Sequence, residues 1–361
     1  MHPLLFALIA VSTASAQVKV RIERDVVCLA RDGVKMRADV YRPDDGGAYP
    51  VLLARTPYGK QGVNGEGKAR RGYVVVVQDT RGRGRSEGRF DPFMDDERDG
   101  YDAVEWAARL PGSNGKVGMF GGSYGGATQV FAAMASPPHL VALFPVFPAI
   151  GYGTHNILFE GGAFRQLLAS SWAAAQTIEL YGRAVGRAGG SRQEFEALLS
   201  AGPAADFMET LFRQSMEWGG GAWYRQWLGH APGSEYWRRT NLAGKVKGIK
   251  AAGCYVAGVY DIFGPATAAL FSAVQKEAGS EEARRGSQLW WGPWTHGGSK
   301  LKPGDTDFGP EPQVSYGKYE DAWFDYWLKG VANEVPKTAP ARVFLSGENH
   351  WRSEDRFPPA R

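Results

Sequence analysis

Two hydrophobic patterns divide the first part of the chain. From about residue 20 to residue 43 polar and apolar positions alternate around Asp32 and Gly33, with Met36, Ala38 and Val40 at every second position. An Asp-Gly pair between two such runs predicts an antiparallel hairpin, because both residues accept the left-handed backbone of a tight turn. The runs that follow do not alternate. Val51, Leu52, Leu53 and Ala54 are apolar without a break, as is the stretch 73–77, which is the pattern of strands covered on both faces of a parallel sheet.

Helical spacing comes next. Asp95, Asp96 and Glu97 precede Tyr101, Val104 and Ala108, so the period predicts a helix with negative charge at its N-terminus, where the backbone dipole favours it. The stretch 116–122 reads as a strand, Ser123 as a turn, the residues up to Met134 as a helix, and 140–144 as another strand. Alternation of strand and helix predicts an α/β protein built on a doubly wound, mostly parallel sheet, with antiparallel strands at its start. From about 150 to 245 the pattern becomes helical and aromatic, with Phe159, Trp172, Trp218, Trp223, Trp227 and Trp237. An inserted helical cap is therefore expected. Strand character returns at 253–260 and 288–292, with a helix at about 264–278 between them. The expected organisation is a core in two parts, 17–149 and 246–340, separated by a cap at 150–245.

Composition narrows the classes. The apolar run from Leu4 to Val11 is followed by Ala14, Ser15 and Ala16, an A-x-A cleavage pattern, so residues 1–16 read as a secretory signal peptide cut after Ala16, and a secreted or periplasmic protein is expected. That run is far short of the roughly 20 residues that span a bilayer, and no later stretch approaches that length, so no membrane span is expected. Basic and acidic residues number 42 and 38 and are interspersed, for a net charge of +4, which argues against a nucleic-acid surface. Cys28 and Cys254 lie on separate predicted strands, which favours two buried thiols over a disulfide. No H-E-x-x-H, C-x-x-C or carboxylate cluster calls for a metal, and no cofactor is implied. The stretch 62–68 begins like a phosphate-binding loop, but Ala69 stands where Ser or Thr must reach Mg²⁺.

The candidate chemistry centres on Ser123. Gly121, Gly122, Ser123, Tyr124 and Gly125 form G-x-S-x-G between a strand and a helix, the context of a nucleophile elbow. The glycines are expected because the turn is strained and a Cβ two residues before or after Ser123 would clash. A serine nucleophile needs a base, and the base an orienting carboxylate, in the chain order Ser, acid, His on loops after strands. Of the six histidines only His296 sits on a loop just beyond a late strand. Asp261 ends the preceding strand; a plain helix N-cap before Pro265 is its other reading. The arginines at 81, 83, 85 and 89 are followed by Asp91, Asp95, Asp96, Glu97 and Asp99, so internal ion pairs are expected rather than an anion site.

These stretches, with Arg55, Pro57 and Tyr58, the run 78–88, Tyr260 to Phe263 and Gly292 to Gly297, resemble the α/β-hydrolases of the CocE/NonD group, which includes cocaine esterase, α-amino acid ester hydrolases and X-Pro dipeptidyl-peptidases. The resemblance implies the triad Ser123, Asp261 and His296. It further implies an oxyanion hole made by the Tyr58 hydroxyl and the backbone N–H of Tyr124. The expected activity is hydrolysis of a small-molecule ester or amide through an acyl-enzyme, with an X-Pro dipeptidyl-peptidase or a β-lactam-type acylase as alternatives. A non-catalytic binding protein of hydrolase shape is the alternative from another class. The side chains of Trp294 and Tyr124 are expected nearest the substrate. No carboxylate stands at the elbow to hold an α-amino group. Members of the group usually carry a C-terminal β-sandwich, of which 341–361 would be a remnant. The acyl group, the leaving group and the oligomeric state stay open.

Overall fold

A computed structural model of the chain describes residues 18–173, 175–176, 222–298 and 303–360. The expected signal peptide and the middle of the expected cap lie outside the described residues. The alternating stretch at the start forms β1 (Val20–Leu29) and β2 (Lys35–Pro43), paired antiparallel across the turn at Asp32 and Gly33. The unbroken apolar runs form β3 (Tyr49–Thr56) and β4 (Val74–Asp79), and a short α1 (Glu66–Arg70) lies between them. There follow α2 (Asp96–Ala108), β5 (Ser113–Gly122), α3 (Tyr124–Met134) and β6 (Leu140–Val146). The second half of the core supplies β9 (Ala252–Tyr260), α6 (Gly264–Glu277), α7 (Glu281–Gly286), β10 (Gln288–Thr295) and α8 (Tyr316–Lys329).

The strands join in one sheet in the order β1-β2-β4-β3-β5-β6-β9-β10, parallel from β4 onward and continued by two more strands at the far edge. Successive residues of a strand point to opposite faces, and both faces are covered. Val51, Leu53, Val74 and Val76 join one buried cluster with α2, α3 and α6; Leu52, Ala54, Val75 and Val77 join a second with α1 and α8. That double cover is why these runs do not alternate.

Between β6 and β9 the described residues form a two-stranded hairpin, β7 (Phe159–Glu160) with β8 (Ala163–Phe164), helical residues 166–173, α4 (Ala222–Gly229) and α5 (Glu235–Arg238). The stretch after α8 departs from expectation. Residues 341–345, read as the opening of a further sandwich, form β11 (Ala341–Leu345), which pairs in parallel with β10, while β12 (His350–Glu354) closes the edge antiparallel to β11. Its apolar residues Ala341 and Val343 complete the cluster on the α6 side of the sheet. Cys28 and Cys254 are buried free thiols, and burial pushes the Cys28 thiol up to about 12. Among the described residues no helix is long and apolar enough to cross a membrane.

Charges beneath the loop after β4 are paired internally. Arg81 bonds Asp99 at 2.6 and 2.8 Å and reaches Asp32, and Arg85 pairs with Asp25 at 2.7 Å. Lys60, almost fully buried, meets Asp25 at 2.8 Å, Asp79 at 3.5 Å and Asp39 at 3.7 Å. The Lys60 hydrogen bond holds the Asp25 carboxyl below its ordinary value of 3.8, and the Arg81 bond does the same for Asp32. A carboxyl whose folded value is depressed contributes stability that is present above the unfolded value and lost as pH falls through the folded one. The stability of the chain is therefore expected to drop on acidification below about pH 4. Asp25→Asn should flatten that drop in urea titrations between about pH 4 and pH 2, and an unchanged slope would rule out the Lys60–Asp25 pair as a contributor.

Candidate active site

Ser123 sits between β5 and α3 with φ 54° and ψ −119°, a conformation that costs an L-residue about 1–3 kcal/mol unless its surroundings impose it. They do so through four backbone bonds. Ser123 N donates to the carbonyl of Val146 at 2.9 Å, and its own carbonyl accepts from Gly126, Ala127 and Ala149 at 3.0 to 3.1 Å. Gly121 has φ 134°, out of reach of ordinary side chains. The tightest approach is at Gly126 rather than two residues from Ser123, since a Cβ there would stand 3.0 Å from Pro148 Cα, whereas one at Gly125 would meet only Arg55 O at 3.4 Å.

His296, on the loop after β10, places Nε2 2.9 Å from Ser123 Oγ and Nδ1 2.8 Å from Asp261 Oδ1. Asp261 follows β9 directly and is buried. The residue capping α6 is Phe263, whose N–H donates to the same Asp261 oxygen at 3.3 Å, so the carboxylate is turned to the imidazole and does not cap the helix. With a carboxylate accepting at Nδ1, that nitrogen carries the proton and Nε2 accepts from the serine hydroxyl; the tautomer follows from the partners. Phe263 and Phe147 stand edge-on to the imidazole at 5.2 and 6.3 Å between centroids. The three residues thus form an unbroken chain from hydroxyl to carboxylate.

Tyr58, on the loop after β3, is 50% exposed and faces the same cavity as Ser123 and His296. The backbone N–H of Tyr124 lies in the first turn of α3, where a helix leaves its amides without intrahelical acceptors and the dipole favours negative charge. The Tyr124 side chain is buried. Its hydroxyl donates to Asp96 Oδ2 at 2.6 Å and accepts from the N–H of Phe93 at 2.8 Å. Arg55, also buried, bonds the other Asp96 oxygen at 3.2 Å and Gln78 at 2.9 Å. Burial pushes the Asp96 carboxyl up against the opposing pull of Arg55, and burial together with the Asp96 charge pushes the Tyr124 phenol well up. This network ties the first residue of α3 to α2 and β3.

The cavity beside Ser123 has a volume of about 100 Å³ and apolar walls from Ile157, Leu158, Leu168, Trp172, Trp227 and Phe263. No carboxylate lines it among the described residues. The structure does not bring Trp294 there. Trp294 is 1% exposed, donates its N–H to Pro312 O at 2.8 Å and packs against Tyr316 and Trp351 at 5.6 and 5.5 Å. The reason is strand parity. Its side chain leaves β10 on the α8 face of the sheet, whereas Tyr124, Phe263 and the cavity walls belong to the other.

Sequence reasoning also passed over Arg83 and Trp172. Arg83 donates to Pro57 O at 2.8 Å and to Gln176 at 2.9 and 3.1 Å, so it ties the Tyr58 loop to the residues beyond 166–173. Trp172 donates from Nε1 to the Tyr58 hydroxyl at 3.2 Å. Arg55 was visible only as part of a motif. Among the described residues no group of three His, Cys, Asp or Glu could hold a metal ion.

A mostly parallel sheet, a sharp strand-to-helix turn bearing a serine, and an acid and a histidine on later strand-end loops define an α/β-hydrolase fold. Residues 32–298 match the sequence profile of the X-Pro dipeptidyl-peptidases of the S15 family, and the chain belongs to that family. It is similar to the cocaine esterase of Rhodococcus sp. strain MB1 Bresler, with 31% identity covering 93% of this chain and 60% of the esterase. Two solved structures share the fold. An α-amino acid ester hydrolase has a TM-score of 0.69 at 24% identity, covering 99% of this chain and 61% of its own. An aminopeptidase from a marine sediment Thaumarchaeota archaeon also reaches 0.69, at 22% identity, covering 95% and 59%. The chain spans about 60% of the length of the esterase it matches.

Removing one partner of a buried ion pair leaves an uncompensated charge, at a cost of about 3–5 kcal/mol. Asp96→Asn should lower the unfolding free energy by that amount in urea, because Arg55 has no route to water. A loss under about 1 kcal/mol would mean that Gln78 and the main-chain carbonyl of residue 96 satisfy Arg55 without the carboxylate.

Proposed function

We propose that the chain is an exported serine hydrolase that cleaves an ester or amide through an acyl-enzyme. The single observation that carries this reading is the pair of hydrogen bonds at 2.9 and 2.8 Å that link Ser123, His296 and Asp261. His296 Nε2 takes the hydroxyl proton as Ser123 Oγ attacks the carbonyl carbon. Asp261 stabilises the imidazolium, and the oxyanion is received by the Tyr58 hydroxyl and the Tyr124 N–H. Collapse breaks the bond to the leaving group, which takes the proton from His296. Water then attacks the acyl carbon with His296 as base, releasing the acid and restoring Ser123.

The apolar cavity favours an uncharged acyl group, since an α-ammonium placed there would lose its hydration without a carboxylate among the described residues to replace it. An ester with an apolar acyl part is thus preferred over an X-Pro dipeptide, although the family profile keeps amide cleavage in view. Export rests on residues 1–16 alone; material recovered from a secreting host should begin at Gln17.

Ser123→Ala should reduce kcat by about 10⁶, and Tyr58→Phe by about 10²–10³. Kinetics on p-nitrophenyl esters, β-lactam side-chain amides and X-Pro anilides would rank the substrate classes. A fluorophosphonate probe should label Ser123 of the intact chain; a folded chain that takes no label would point to a non-catalytic protein.

A further inference from the structure

We propose that Trp172 is a positioning residue for the oxyanion site: its indole N–H fixes the direction in which Tyr58 presents its hydroxyl proton. The inference rests on the reading of Tyr58 as an oxyanion donor given above. Trp172 Nε1 donates to the Tyr58 hydroxyl oxygen at 3.2 Å, joining residues 114 positions apart. A phenol hydroxyl has one proton, while an indole N–H can only donate. The N–H therefore occupies one side of the Tyr58 oxygen, and the O–H proton must turn to the other. Tyr58 is 50% exposed, so without this partner its hydroxyl would rotate among water molecules. Donation to the oxygen also polarises the O–H bond and strengthens its own donation. Both rings line the cavity that holds Ser123 and His296.

Trp172 is itself held in place. Its ring lies parallel to Tyr124 within 2° at 6.0 Å, is stacked on Trp227 at 5.8 Å, and meets Trp223 edge-on at 5.6 Å. Turning the indole would break these contacts and those with Phe90 and Phe93, so the direction of its N–H is set by an aromatic cluster rather than by chance rotamer choice. Trp223 and Trp227 belong to α4 and Tyr124 to α3. The direction of the Tyr58 hydroxyl thus depends on residues of α3, of α4 and of the helical stretch 166–173 together.

Trp172→Phe keeps an aromatic ring and removes the donor. It should lower kcat on a p-nitrophenyl ester about tenfold, the value of one hydrogen bond, and leave KM within about twofold. In a Tyr58→Phe background the same change should cause no further loss of kcat, and Trp172→His, which retains a ring N–H, should lose less than Trp172→Phe. Fluorophosphonate titration counts reactive Ser123, so kcat is expressed per folded site whatever fraction of a variant misfolds. Equal losses in both backgrounds, equal losses for Phe and His, or an undiminished kcat in Trp172→Phe would each overturn the proposal while leaving Tyr58 in its role. Full activity of Tyr58→Phe would remove the oxyanion reading itself and this inference with it.

Discussion

Ser123 is held in a backbone conformation that an L-residue does not choose, and much of the molecule exists to impose it. β5 delivers the chain to the turn and α3 carries it away, while the carbonyl of Val146 and the amides of Gly126, Ala127 and Ala149 clamp the residue itself. Val146 is fixed in turn, because β6 is hydrogen-bonded between β5 and β9. The strain is small beside the burial of two apolar layers, yet it decides where the hydroxyl points.

The second constraint is electrostatic. Arg55, Asp96 and Tyr124 form a buried polar group behind the elbow, and such a group is tolerable only when each member is satisfied. Here it links α2, α3 and β3 at the level of the turn. Arg83 acts similarly one loop away, where it holds Pro57 O and Gln176. Of the loop arginines, which alone would suggest an anion site, Arg81 and Arg85 are already paired with carboxylates.

Charge and apolar shape are thus separated in this site. The polar groups lie beneath and behind Ser123, while the cavity in front of it is lined by Ile157, Leu158, Leu168 and tryptophans. A dry wall strengthens the few hydrogen bonds that reach into it, because little water competes with them.

The sequence by itself determined whatever depends on neighbours along the chain. The hairpin, the doubly covered strands and the elbow were legible because period and glycine placement act over a few residues, and Asp261 and His296 because each directly follows a strand whose pattern is plain. Trp294 was not legible in the same way. It stands two residues from His296, but the face to which a strand side chain points acquires meaning only once α8 covers one side and α3 and α6 the other. Nor could the strand at 341–345 be assigned to this sheet, since an apolar run does not name its partner. Only the tertiary structure decided that Arg83 meets Pro57 across 26 positions and Trp172 meets Tyr58 across 114. Hydrogen bonds of that reach leave no period in the sequence, because the groups that make them are brought together by the packing of layers and not by the geometry of any one element.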